Sequence, residues 1–236
     1  MTEAPPDPSQ GATTGPTTSD RLDLADWRRR ISDLYATVRT EAALDPEAAW
    51  RRWRDTREEL FRSHPQSPVA PADRASFRAR HWPYDPRLRF DAVVDSNPAE
   101  AGASAASAAP AIDGFMLALP INTGGEEAFT RIGRVTVAFP DGARSLGLYW
   151  MAGYAGGLFL PFRDATNGRE TYGAGRYLLD TAKSADLGRG AAAGSLILDF
   201  NFAFHPSCAF DPHWSCPLAP PENRLDIRIE AGERLS

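Results

Sequence analysis

The sequence predicts a β-rich α+β domain, in which two N-terminal helices precede antiparallel strands closed as a sandwich or a barrel. Three observations carry that class. Apolar residues recur at helical spacing only before residue 64. From Trp82 onward the period shortens to two. Tight-turn residues then separate the later apolar runs with no helical segment between them.

The segment from Met1 to about residue 22 is rich in Pro, Thr, Ser and Gly. It has too little apolar mass to offset its ordering entropy and is expected as a disordered tail. Residues 23–236 then read as a single domain. Trp27, Ile31, Leu34 and Val38 share one face of a helix over 23–40. Asp45-Pro46 supplies an N-cap and a first-turn proline for a second helix, whose apolar face is Trp50, Trp53, Leu60 and Phe61. His64-Pro65 stops it, so the helical pair spans 23–64. Arg51, Arg52, Arg54 and Arg57 interleave with Asp55, Glu58 and Glu59 and read as a solvated face.

The β core is expected over 82–233. Strands are predicted at 88–94, 115–119, 134–139, 145–150, 158–162, 171–172, 176–179, 195–204 and 225–229. Asp141-Gly142 turns the third into the fourth, and Asn167-Gly168 is a second hairpin signal. The Ala/Ser/Gly/Pro stretch over 95–110 is expected as a flexible loop.

Charge narrows the function classes. A net charge of −5 and a pI near 5.4 leave no basic footprint for nucleic acid. No apolar run approaches the roughly 20 residues of a membrane span, and no secretory h-region is visible. Two cysteines do not make a disulfide scaffold, so the expected compartment is the cytoplasm. A small molecule is the partner class left open, and oligomeric state is not encoded. No cofactor is expected: Gly173-Ala174-Gly175 lacks the strand–helix unit of a dinucleotide fingerprint.

Candidate site residues concentrate between Asp164 and Arg224. If 195–204 were one strand, Asp199 and Asn201 would share a face about 7 Å apart, with His205 beyond them. The loop 205–224 holds five prolines, two histidines and both cysteines, and long loops of this kind are often functional. His205-x-x-Cys208 and His213-x-x-Cys216 form a zinc-type ligand set on paper, but only four residues separate the pairs. A catalytic thiolate at Cys208 or Cys216, or two inert thiols, are the alternatives. Upstream, Asp164 is placed to cap the Asn167-Gly168 turn. Gly173 and Gly175 suggest a bulge or a close backbone approach. Arg176 suits either anion binding or an ion pair with Asp164 or Asp199, and Arg224 has the same two uses.

Phe162-Arg163-Asp164-Ala165-Thr166-Asn167-Gly168, Thr171-Tyr172-Gly173-Ala174-Gly175-Arg176-Tyr177-Leu178, Leu198-Asp199-Phe200-Asn201 and Cys216-Pro217-Leu218-Ala219-Pro220-Pro221-Glu222-Asn223-Arg224-Leu225 occur in that order. Together they resemble the signature of a bacterial family known as domain of unknown function 1684, over about residues 46–233. The resemblance implies a stand-alone domain with no established activity. It also implies that the His/Cys set is not a common feature: where this chain has Phe204-His205 before Pro206 the family pattern reads Tyr-Asn, and His213 is not part of it.

Three functions fit these residues. The first is a small-molecule enzyme of hydrolase type, with Asp199 as general base, Cys208 as nucleophile, and Tyr172 and Asn201 orienting the substrate. In it Arg176 or Arg224 anchors an anion, and Asp164 and Asn223 complete the pocket. The second is a non-catalytic domain binding a small ligand through the same arginines. The third is a purely structural polar network.

Overall fold

The computed structural model describes residues 15–96, 116–153 and 156–235. The expected tail up to residue 14, and residues 97–110 of the expected flexible loop, lie outside the described residues.

Helix α1 (Thr18–Glu41) begins five residues before position 23. Thr17 and Asp20 form a reciprocal capping box, which the tail's composition masks, so residues 18–22 are helical rather than disordered. Helix α2 (Pro46–Ser63) starts as expected, with Asp45 accepting from the Ala48 N–H at 2.9 Å. The helices pack through Ile31, Leu34, Val38, Trp50 and Trp53, and the Trp53 indole N–H donates to the Tyr35 hydroxyl at 2.9 Å. Arg51 and Arg52 are exposed and paired to Glu47 and Glu41. Arg57 departs from the solvated face. It falls four residues after Trp53, on the apolar stripe itself, and is only 7% exposed.

The strands are β1 (Arg80–His81), β2 (Arg89–Asp95), β3 (Met116–Pro120), β4 (Glu126–Phe139), β5 (Gly142–Met151), β6 (Gly157–Phe162), β7 (Arg176–Asp180), β8 (Ser195–Asp199) and β9 (Glu233–Arg234). One antiparallel sheet runs β7-β6-β5-β4-β2-β8, with β3 on the first half of β4, and curls into a half-barrel. Strands β4 and β5 form its long hairpin, turned at Gly142 with φ +127°. A separate two-strand sheet pairs β1 with β9, which no sequence period announced.

Leu146, Leu148, Leu160, Phe162, Leu198 and Phe200 build the core of the half-barrel. The C-terminal segment completes it. Residues 225–229 are not a strand of the sheet. They lie beside residues 163–165, with the Leu225 N–H donating to the Arg163 carbonyl and the Ala165 N–H to the Ile227 carbonyl. Leu225, Ile229 and Ala231 thereby fill the core.

Two further strands end differently from expectation. β8 stops at Asp199, because its carboxylate accepts the Asn201 N–H at 3.0 Å and folds Phe200–Phe202 into a 3-10 turn. Strand alternation therefore breaks at Phe200. Thr171 makes only a single bridge, to Asn167, inside a compact turn. Among the described residues, no helix is long and apolar enough to cross a membrane.

Candidate functional site

The residues picked from the sequence fall into three separate groups. In the first, Asp164 and Arg176 lie 3.5 Å apart with both side chains fully buried. Asp164 accepts from the Ile229 N–H at 2.7 Å and from the Thr166 hydroxyl at 2.8 Å. Arg176 donates to the carbonyls of Ile229 (2.9 Å), Glu233 (3.2 Å) and Ala231. Burial pulls the Arg176 pKa below its ordinary value, and Asp164 opposes that shift. Nearby, Asn223 is fully buried and binds Gly147 through both its amide atoms and the Pro161 carbonyl at 2.8 Å. Arg224 is exposed, and its side chain makes no hydrogen bond or ion pair among the described residues.

The second group surrounds Asp199. Rather than standing 7 Å apart, Asp199 and Asn201 are directly bonded, Nδ2 to Oδ1 at 2.8 Å. Arg89 at 3.1 Å and the Tyr84 hydroxyl at 3.2 Å take the other carboxylate oxygen. Burial raises the Asp199 pKa despite those partners. Asn201 spends its remaining capacity on the Asp85 backbone.

Tyr172, Cys208 and Cys216 form the third group. Both thiols are free and buried, and the Tyr172 hydroxyl and the two sulfurs influence one another's protonation. Burial lifts Tyr172 to about 12. The four proposed zinc ligands do not assemble. His213 is 92% exposed and pairs with Asp211, while His205 is buried and its Nε2 accepts from the Tyr172 N–H at 3.2 Å. Among the described residues no cluster of three His, Cys, Asp or Glu side chains is arranged for a metal.

None of these three groups lines either of two adjoining clefts beside the β1–β9 sheet, the larger of which lies where α2 meets that sheet. A polar cleft of about 570 Å³ is lined by Arg54, Asp55, Glu58, Arg80, His81 and Arg234. A smaller one of about 190 Å³ adjoins it, sharing Ala79, Arg80 and Arg234, and ends against Phe77, Phe210 and His205. Arg80 and Arg234 are direct cross-strand partners. Among the described residues neither is paired with a carboxylate, and the buried Nε of Arg234 has no hydrogen-bond partner. Both ring nitrogens of His81 are likewise buried without a well-formed hydrogen bond, a weak contact to the Ala79 backbone aside.

Beneath the groove sits a charged network. Glu233 is fully buried, bound to Arg57 at 2.7 Å and to the His205 N–H at 2.7 Å. Burial drives both His81 and His205 down to about 4, so both rings are neutral at pH 7. Burial pushes the Glu233 carboxyl up, yet it stays below its ordinary range, with the bonded Arg57 guanidinium the largest influence holding it down.

Sequence reasoning missed Arg57, Arg80, His81, Glu233 and Arg234. Only Arg57 left a signal, as a charge at helical spacing within an apolar stripe. The others lie on two-residue strands too short to show a period.

No curated protein matches the chain. A similar solved structure is the solution NMR structure of the uncharacterized protein from gene locus rrnAC0354 of Haloarcula marismortui. It is 29% identical, with 83% of this chain and 97% of that chain covered and a TM-score of 0.54. The family described as "Protein of unknown function (DUF1684)" matches residues 78–234, which takes in β1, β9 and every motif quoted above. The chain belongs to the DUF1684 family.

Proposed function

We propose that this chain is a cytoplasmic, non-catalytic domain that binds a small organic anion in the groove between α2 and the β1–β9 sheet. One observation carries the proposal: the unpaired cross-strand arginines Arg80 and Arg234. Like charges directly opposite in a sheet are destabilising, and an anion between them reverses the sign of that interaction. His81, with unsatisfied ring nitrogens beside them, adds a hydrogen bond to the same ligand. Phe77 and Phe210 at the adjoining end suit an apolar body, so the class is a phosphate ester or carboxylate on a small apolar group.

A non-catalytic role is supported by how the remaining candidates spend their bonds. Asp164, Arg176, Asn201 and Asn223 are taken up by backbone and by each other, and Asp199 is bonded on both oxygens. These side chains hold the fold that presents the groove.

Isothermal titration of the full chain with phenyl phosphate, inorganic phosphate and benzoate tests this. The expected result is one saturable site for at least one of the three probes, abolished in R80A/R234A. No saturable heat with any probe, or unchanged heat in the double variant, overturns it.

A further inference from the structure

An anion answers only one wall of the larger cleft. Arg80 and Arg234 line it from the β1–β9 sheet, and Asp55 and Glu58 line it from α2. Opposite charges therefore border one space, yet among the described residues no ion pair spans it. Asp55 pairs instead with its chain neighbour Arg54 at 2.8 Å, and Glu58 only with the exposed Arg78, at the long distance of 4.0 Å. The Ala79 N–H donates to Glu58 Oε2 at 3.0 Å, which fixes that carboxylate at the cleft. A cleft of about 570 Å³ between unpaired charges of both signs has room for a molecule that is itself divided in charge.

His81 makes the same demand. Its neutral ring has one N–H to give and one lone pair to fill, and both nitrogens are buried without a well-formed hydrogen bond. An anionic oxygen takes the N–H, but only a donor fills the lone pair. A ligand with negative charge alone also carries that charge toward Asp55 and Glu58, which weakens its binding. An ammonium group on the same molecule turns that repulsion into attraction and brings three N–H donors.

We propose that the groove selects a small zwitterion, an amino acid with an apolar side chain, over a simple anion. Its carboxylate sits between Arg80 and Arg234, its ammonium faces Glu58 and Asp55, and its side chain extends toward Phe77 and Phe210 in the adjoining cleft. This rests on the anion site at Arg80 and Arg234 and names the class of its ligand.

The test is isothermal titration of the full chain with L-phenylalanine and with 3-phenylpropanoate, which keeps the carboxylate and the ring but lacks the ammonium. Phenylalanine is expected to bind at least about tenfold more tightly. In E58Q the preference is expected to fall to about twofold, with 3-phenylpropanoate still bound, which shows the groove intact. D55N, at an exposed side chain, is the second variant and is expected to weaken the preference as well. Equal affinity for the two acids, or no binding of either while phenyl phosphate binds, overturns the zwitterion and leaves the anion site standing. No binding of these two or of phenyl phosphate overturns both. A preference that survives unchanged in E58Q and in D55N also overturns the proposal, because the acidic wall then plays no part.

Discussion

The Arg176 guanidinium sits 3.5 Å from the Asp164 carboxylate, and from there it reaches three carbonyls of the last stretch of chain, at residues 229, 231 and 233. That pair therefore does more than satisfy two buried charges. It fixes the segment that ends in β9 and so sets Arg234 opposite Arg80. Arg176→Met leaves a buried carboxylate with no cation and three carbonyls with one donor fewer. A loss of about 3–5 kcal/mol is expected, seen as a Tm lower by about 10 °C. A variant within 2 °C of the parent, on the order of a single surface change, contradicts the clamp.

Asn223 has the same kind of role between β5 and β6. Its three bonds to Gly147 and Pro161 are buried, and Ala at 223 leaves their backbone partners dry. Urea unfolding of Asn223→Ala is expected to report about 2–4 kcal/mol of lost stability. Arg224→Ala, one residue on but exposed, is expected to change stability by less than about 0.5 kcal/mol.

Gly175 takes φ +108°, and a Cβ there would meet the Phe162 carbonyl oxygen at 2.5 Å. This is the close backbone approach that two glycines around Ala174 suggested. Gly175→Ala is expected to cost more than about 2 kcal/mol, since strain and clash both oppose it. Gly168→Ala has the strained φ of +79° with open space around it, so its thermal shift is expected to be the smaller.

Acid should destabilise the protein through two rings. His81 and His205 are held near 4 in the folded state by burial, against about 6.5 unfolded. Between those values the unfolded chain binds more protons than the folded one, so stability falls as pH drops through this window and is flat above it. Each ring contributes at most about 3 kcal/mol of that loss. Thermal unfolding from pH 8 to pH 4.5 is expected to show Tm level to about 6.5 and falling below, with a shallower fall in His81→Gln.

Much of this architecture was legible in the sequence because it rests on local signals. Asp45-Pro46, the Asp141-Gly142 turn and the stripe of Trp50 and Trp53 each act within a few residues, and each appears where expected. The ion pair of Arg176 with Asp164 was one of two partners considered. The break at Phe200 was not legible as such. Asp199 sits between Leu198 and Phe200, both residue types that fit a strand, yet its side chain competes for the Asn201 amide and wins. The groove was hidden for a different reason. Arg80 and Arg234 stand at opposite ends of the family region, and their meeting depends on how the whole half-barrel delivers the C-terminus.

Removing the arginines should relieve the protein when no anion is present. R234A and R80A are each expected to unfold at or slightly above the parent temperature in anion-poor buffer, by up to about 0.5 kcal/mol. Added phosphate should then stabilise the parent and leave the variants unchanged.

The most direct measurement follows the arginine Nε–Hε and histidine ring signals by NMR as phenyl phosphate is titrated into the full chain. The account predicts saturable shifts at Arg80, Arg234 and His81, with Arg176 and Arg89 unmoved. Saturable shifts centred on Asp199 and Arg89, or on Cys208 and Tyr172, with the β1–β9 arginines silent, would contradict it.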